Sequence, residues 1–597
     1  MLGFLRSKYH EAREILKDIR RTHPADVPAP RDDGYEPIPD GPDLSSPEHT
    51  SHGVAEIEAL ASVWSTRTLY TGYALVFIIF FVNSLQQQTT SSLSPYVYSE
   101  FTDHSLIAMT NVLTSIIGGV SKLPIAKLID ILGRPEGFAA MVALCTLGLV
   151  LMAACRNVET YVAAQIIYWV GYNGMDYVLH VFMSDTTELV NRAFVYGIAS
   201  FPYVITTFIG PAAAQFLYER DALYTGFGIF AVLTPLVTAP LLLLLWSTRK
   251  KARSAGVIKR KPQDRTRMET IIHYVVEFDP IGMLLITAGF VLILLPLTLA
   301  TSGTNMWSTS LLDRWMAPDI IAMIVLGVLS VIGFLFWERS GAPVCFVPYS
   351  RLRDPTLLGA FLLACAMFMS FYCWDLYFSS YLQVVFNTSI RDTGYIYNIY
   401  SIGSCIISIP VGILIRKINR FKTPALTALP LFILGTALMI PFRSPTSHIT
   451  AVIACEILKA VAGGTLVICQ EIAGLATGNH ETIAVSFALV GLGSKIGSAV
   501  GAAISGAIWT STVPVYIEKY LPDEKKYLAA ELYGSIARVL EFAPGTEERE
   551  ATVRAYGVAQ KRMLIVGLAV LPAAVFGVTM WRDIRLRGVR QVRGTVL

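Results

Sequence analysis

Asn173, Asp176 and His180 stand at i, i+3 and i+7 in the apolar run GYNGMDYVLHVFMSDTTELVNRAF, Gly171 to Phe194. Those intervals put all three on one face of a helix, and Trp169 extends the stripe by a turn. A carboxylate inside a bilayer costs at least ~2.5 kcal/mol unless it faces protein or water. The stripe therefore looks into a wet cavity or forms a hydrogen-bonded seam between helices. In the cavity reading Asp176 carries a proton and Asn173 offers an amide to a ligand, while His180 serves as a satisfied helix-end histidine.

A second group lies further along. Glu456 and Lys459 are three residues apart in an apolar stretch, so they can pair on one helix face. Stability is a poor reason to bury such a pair. A titratable carboxylate beside a movable cation can relay protons; the same pair, joined to Lys495, can instead lock two helices. Glu471 is a further carboxylate on the same stretch. No phosphate-cradling loop, zinc spacing, haem-attachment motif or nucleophile signature occurs. The sequence thus points away from ATP hydrolysis, catalysis and any resident cofactor or metal, and toward an ion gradient as energy source.

These residues sit in a chain of 597 residues, 53% hydrophobic and only 15% charged, with a mean hydropathy of +0.53. Such a composition means a polytopic, all-α membrane protein in a lipid bilayer, with no nucleic-acid partner, and a monomer is expected. Fourteen apolar spans can be drawn, at roughly 69–90, 105–128, 137–155, 160–183, 193–216, 222–246, 279–300, 317–337, 356–380, 393–415, 423–441, 449–475, 482–509 and 562–581. Each is close to the ~20 residues that cross the hydrocarbon core. The eight cysteines lack paired spacing and read as packing residues. The first 65 residues are charged and Pro-rich, as in a disordered tail.

Lys and Arg gather in the linker 247–278, in the loop of Arg416, Lys417, Arg420 and Lys422, and in the tail 582–597. With an even span count all three lie on one side, which the positive-inside rule makes the cytoplasm, so both termini are expected there. PIAKLIDILGR, Pro124 to Arg134, and PVGILIRKINR, Pro410 to Arg420, share proline, a Leu-Ile pair and the final arginine, as two related halves would.

AKLIDILGRP, Ala126 to Pro135, resembles the loop signature of the major facilitator superfamily, with Asp130, Gly133 and Arg134 matching and Ile131 replacing an arginine. That resemblance implies two pseudo-symmetric six-helix halves and a cytoplasmic gate at Asp130, Gly133 and Arg134; Arg192, at the start of span five, joins it. SLQQQTTSSLSPY (Ser84 to Tyr96), GYNG at Gly171, SDTTELVNRA (Ser184 to Ala193), GSKIGSAVGAAISGAIW (Gly493 to Trp509), KYLP (Lys519 to Pro522), LYGS at Leu532 and AYGVAQKRML (Ala555 to Leu564) resemble the fungal siderophore–iron transporters.

By that resemblance the parts are a six-span half at 66–246, two additional spans at 279–337 and a second half at 356–581, spans 1, 4, 9 and 12 line a central cavity, and the polar residues fall there: Gln86, Gln87 and Gln88; Asn173 and Asp176; Asp375; Glu456, Lys459, Gln470 and Glu471. The resemblance implies proton-driven import of a ferric siderophore, with proton antiport of a drug, glutathione or a metabolite as the alternative, and a non-transporting sensor as another. A siderophore already wraps its iron, so the protein needs amides, aromatic faces and room rather than iron ligands. Gln86 to Gln88, Tyr172, Asn173, Tyr372, Trp374, Asp375 and Gln470 fit that inventory. The loop 511–561 is the only long external segment; the resemblance implicates it in capture or gating, with Tyr533 and Tyr556 as candidates. The plasma membrane is the expected location, an endosomal or vacuolar membrane the alternative. Asn387 opens the only glycosylation sequon, in a loop too short for its use to be expected.

Overall fold

The computed structural model describes residues 64–586 except 101–105, 132, 188, 255–278, 300–315, 343–352 and 478–482. The expected tail before residue 64, the linker beyond Ser254, the tail from 587 and the Asp130 side chain lie outside what it describes.

The described chain is helical. The helices are α1 (Thr66–Glu100), α2 (Leu106–Val120), α3 (Lys122–Ile131), α4 (Arg134–Ala154), α5 (Val158–Asp185), α6 (Leu189–Ser200), α7 (Pro202–Tyr218) and α8 (Leu223–Ser254). Two more, α9 (Pro280–Leu299) and α10 (Pro318–Phe336), precede α11 (Pro355–Asp375), α12 (Phe378–Phe386), α13 (Ile390–Tyr397), α14 (Ile399–Ile418), α15 (Lys422–Phe442), α16 (Ile449–Ala476) and α17 (Ile483–Tyr520). Short α18 (Ala529–Gly534) and α19 (Ile536–Glu541) lead to α20 (Glu547–Thr579).

Among the described residues eleven helical stretches are long and apolar enough to cross a membrane, and two shorter apolar helices lie at Ile107–Val120 and Pro280–Pro296. The 28-residue α5 is long enough but too polar to count with them, because it carries the Asn173–Asp176–His180 stripe. A helix therefore stands at each of the fourteen expected positions. Four positions are divided in two: α2 from α3 at Ser121, α6 from α7, where Pro202 can donate no helical hydrogen bond, α11 from α12, and α13 from α14 at Asn398.

Local chemistry sets the ends. The Asn157 side chain caps α5 by accepting from the Thr160 amide at 2.9 Å, and Asp354 caps α11 through the amides of Thr356 and Leu357. Thr546 caps α20, whose first turn carries Glu547, Glu548 and Glu550 where the helix dipole favours them.

The helices α1–α8 form one group and α11–α20 another. They meet along two seams, α2 and α3 against α17 and α6 and α7 against α13 and α14, while α9 packs on α2, α17 and α10 at the margin. The repeated loops of the sequence are repeated in space. Gly133 (φ 104°) and Asn419 (φ 60°) each turn the chain through the left-handed region before Arg134 and Arg420. Arg134 then pairs with Asp185 at 3.0 Å and Arg420 with Asp583 at 2.7 Å. Below, this is the arginine end; the other, bearing residues 521–546, is the cap end.

Candidate functional site

Of the three consecutive glutamines on α1, only Gln87 reaches the space between the groups. Successive residues on a helix point ~100° apart, so three neighbours cannot share one wall. Gln86 is fully buried, accepting from Thr234 at 2.9 Å and lying 3.7 Å from the Cys145 sulfur, within the first group. Gln88 donates to Thr207 at 3.4 Å and is buried as well. Gln87 is half-buried, and its Oε1 accepts from the Tyr172 hydroxyl at 2.9 Å, which also meets the Tyr203 hydroxyl at 2.8 Å. Asn173 turns away from this space: its amide donates to the Trp169 carbonyl at 2.6 Å and packs against Gly118 of α2. Asn173 thus lies in a helix–helix contact, whereas the Asp176 carboxylate stays part-exposed.

Asp176 retains 32% exposure of its side chain, deep within a helical bundle. His180, a turn further on, places Nδ1 2.9 Å from the Asp176 carbonyl oxygen and 3.5 Å from its carboxylate. The imidazole is boxed by Phe80, Tyr196 and Phe487, the last from the second group. Lys122, Glu471 and Lys495 surround the same region: Lys122 interacts electrostatically with Asp176 and Glu471, Lys495 with Asp176 and Lys122, and Glu471 with His180. Five ionisable side chains from four helices thus converge where the groups meet. Lys122 had no place in the sequence reading, since it stands in what looks like an ordinary span end; only its packing on α17 reveals it.

The second cluster differs from its expected form. Glu456 pairs with Arg443 at 2.6 Å, the two side chains 1% and 0% exposed, rather than with Lys459. The Arg443 guanidinium also lies 3.8 Å over Phe378 and 4.3 Å over Trp374 and donates to Gln560 at 3.5 Å. Lys459 is fully buried with no hydrogen-bond partner among the described residues, its ammonium 3.7 Å over the Trp374 ring. Asp375 accepts from the Tyr397 hydroxyl at 2.7 Å. Tyr372 is half-buried on the same helix, against Phe371. Gln470 is buried, its Oε1 without a partner among the described residues. Lys495 belongs to the first cluster, so it does not join the Glu456 group. Arg443, at the end of α15, looks from the sequence like an interfacial arginine snorkelling to water.

At the arginine end the SDTTELVNR stretch is a closing turn. Arg192, fully buried, donates to the carbonyls of Thr187 at 3.2 Å and Ser184 at 2.9 Å, and Arg134 adds a bond to the Ile129 carbonyl at 3.0 Å. Tyr73 of α1 binds the hydroxyls of Thr186 and Thr187, both at 2.7 Å. The Ser184 carbonyl in the last turn of α5 is thereby satisfied by a cation, which the helix dipole favours.

At the cap end the expected loop 511–561 is shorter, because α17 runs to Tyr520 and α20 begins at Glu547. Tyr556 accordingly lies in the core of α20, edge-on to Trp509 at 4.6 Å, and not in a loop. Tyr533 is half-buried on α18. Arg549 holds the cap down: buried, it donates to the carbonyls of Val384, Val539 and Gln383, each at 2.9 Å. Gln383 in turn accepts from the Tyr96 hydroxyl at 2.5 Å, tying α1 to α12 across the groups. Nearer the surface Lys525 pairs with Glu548 at 2.8 Å and Glu547 at 2.9 Å, and those bonds, Glu548 first, hold its ammonium above the usual lysine range. Among the described residues no cluster of His, Cys, Asp or Glu is arranged to hold a metal.

Residues 76–502 match the model of the Major Facilitator Superfamily, and the chain belongs to that superfamily. In fold it is similar to a bacterial homologue of the human lysosomal transporter Spinster (14% identity, TM-score 0.51, 87% of this chain and 98% of that one) and to a peptide transporter POT (14%, TM-score 0.51, 89% and 99%). Its sequence is 45% identical over 546 residues to MFS siderochrome iron transporter 1 of Ajellomyces capsulatus, covering 91% of this chain and 92% of that one. It is 39% identical to MFS siderochrome iron transporter D of Aspergillus fumigatus (94% and 95% covered), and 36% identical to siderophore iron transporter mirB of Emericella nidulans (92% and 90%). Within the superfamily the chain belongs with these siderochrome and siderophore iron transporters.

Proposed function

We propose that this protein imports ferric siderophores, with iron as cargo inside its chelate, by symport with protons. The cap end faces the outside or an organelle lumen, the arginine end and both termini face the cytoplasm, and the plasma membrane is its location. The observation that carries the proton reading is the Asp176 carboxylate, 32% exposed between two helical groups and ringed by His180, Lys122, Lys495 and Glu471. Protonation at Asp176 changes the charge balance of a seam that both groups share, so it biases how they pack. Gln87, Tyr172 and Tyr203 supply an amide and two hydroxyls in the same space, the donors a hydroxamate chelate calls for. A proton entering down 100 mV releases ~2.3 kcal/mol, enough to accumulate cargo about fiftyfold.

The test is Asp176→Asn, which mimics the protonated carboxyl and keeps its shape. In proteoliposomes the variant is expected to bind radioiron-labelled siderophore and to exchange bound for free cargo, yet to lose accumulation driven by an acid exterior. Gradient-driven accumulation equal to that of the unaltered protein would remove Asp176 from the coupling mechanism. Accumulation by the unaltered protein that withstands a protonophore would remove symport altogether.

A further inference from the structure

A cavity of about 390 Å³ opens on the side of the molecule at the arginine end, sharing Phe80 with the box around His180. Its walls are Tyr73, Phe77 and Phe80 of α1 and Phe194, Val195 and Ile198 of α6. The volume falls in the ~300–1,000 Å³ range of small-molecule sites. One side faces outward: Tyr70 at its mouth is 59% exposed and Ile198 40%. In a membrane that side meets acyl chains. Among the described residues the only charged one lining it is Arg416, in the last turn of α14 in the other helical group. Arg416 is exposed and makes no ion pair with any described residue. Arg420, one turn on, is already spent on Asp583.

An apolar slot roofed by one unpaired guanidinium, at the end of the bundle where Arg416, Lys417, Arg420 and Lys422 gather, has the polarity of a single phospholipid. We infer that this groove binds one anionic phospholipid of the adjoining leaflet, an acyl chain between α1 and α6 and the headgroup phosphate or carboxylate on Arg416. Guanidinium is well suited to such oxygens because it can donate two parallel hydrogen bonds. The site is composite. The acyl slot belongs to the first group and the arginine to the second, so a lipid seated there touches both. Its affinity then depends on how the groups are arranged, and by linkage its binding favours the arrangement in which Arg416 roofs the slot.

The experiment uses the full chain in nanodiscs of dioleoylphosphatidylcholine containing dioleoylphosphatidylserine, with retained lipid read by native mass spectrometry after release. One phosphatidylserine should be retained per protein in preference to phosphatidylcholine. Arg416→Gln should lower that retention about fivefold, the effect of the ~1 kcal/mol a basic residue contributes beside an anionic leaflet. Val195→Trp, which fills the slot and leaves the charge, should lower retention of both lipids. Lys417→Gln removes a neighbouring exposed charge that does not line the groove and should change nothing. Equal retention of the two lipids by the unaltered protein would overturn the site. So would a loss in Lys417→Gln as large as in Arg416→Gln, which would signify diffuse attraction to the surface. The lipid comparison on the unaltered chain decides the matter even where a variant fails to fold.

Discussion

Arg443 and Glu456 meet at 2.6 Å with neither side chain more than 1% exposed, while Lys459, one turn along from Glu456, is buried with no hydrogen-bond partner among the described residues. Two cations thus flank one carboxylate, and the one more distant in sequence holds it. The reason is geometric: the Lys459 ammonium sits 3.7 Å over the Trp374 ring, whereas the guanidinium of Arg443 reaches Glu456 while lying over Phe378 and Trp374. Removing one partner of a buried pair leaves an uncompensated charge, at about 3–5 kcal/mol. Arg443→Met alone should therefore lower the thermal midpoint of the purified protein sharply. Arg443→Met combined with Glu456→Gln should recover much of the loss. A double variant as unstable as the sum of the two singles would mean that the pair is not coupled.

Gln86 and Gln87 are neighbours with opposite duties. Gln87→Ala removes one hydrogen bond facing the cargo space and should weaken siderophore binding about fivefold, for ~1 kcal/mol, with little change in stability. Gln86→Ala leaves Thr234 without its buried partner and should lower stability with binding unchanged in the protein that folds. Titration of a fluorescent ferric siderophore beside thermal unfolding separates the two. The reverse assignment of effects would show that Gln86 faces the cargo.

Tyr96→Phe deletes the 2.5 Å bond to Gln383 that joins the two groups at the cap end. Losing one such bond, ~1 kcal/mol, should shift the equilibrium about fivefold toward opening there. A cysteine placed at Gln87 should then react faster with a membrane-impermeant maleimide added from the cap side. An unchanged rate would mean that this bond does not help to hold the cap end shut.

The cap offers two cations of unequal worth. Arg549 is buried on three carbonyls, so Arg549→Met should free residues 521–546 to external protease and cost at least about 2 kcal/mol. Lys525 is surface-exposed, and water and salt screen its ion pairs, so Lys525→Met should leave protease resistance nearly intact. Because the Lys525 pKa is raised on folding, its contribution is complete below the ordinary lysine range and fades only as pH rises through the folded value. Acidification of the outer face therefore does not act by discharging Lys525. Equal protease sensitivity in the two variants would deny Arg549 its anchoring role.

What the sequence determined by itself is the set of helices and their membrane character. Apolar runs of the required length, broken by Pro, Gly and basic loops, leave the backbone no other way to satisfy its hydrogen bonds in lipid. Asp176 was legible for the same reason: a carboxylate in such a run needs a wet or polar neighbour wherever the helix packs. Only the tertiary structure decided which neighbour each polar group has. Glu456 lies three residues from Lys459 and thirteen from Arg443, and spacing favours the nearer cation; the aromatic box around Lys459 exists only once α11 packs on α16. Consecutive glutamines look equivalent until the rotation of α1 is fixed, and then Gln87 is left half-buried beside Tyr172 while Gln86 and Gln88 are buried among protein. Tyr556 read as a loop residue because the polar first turns of α20 resemble a loop, and they are helical because Thr546 caps them and Arg549 ties them to α12 and α19. Periodicity along one chain carries the hydrophobic effect, which is local and additive. The pairing of buried charges depends on distances between helices far apart in sequence, and those are set by packing alone.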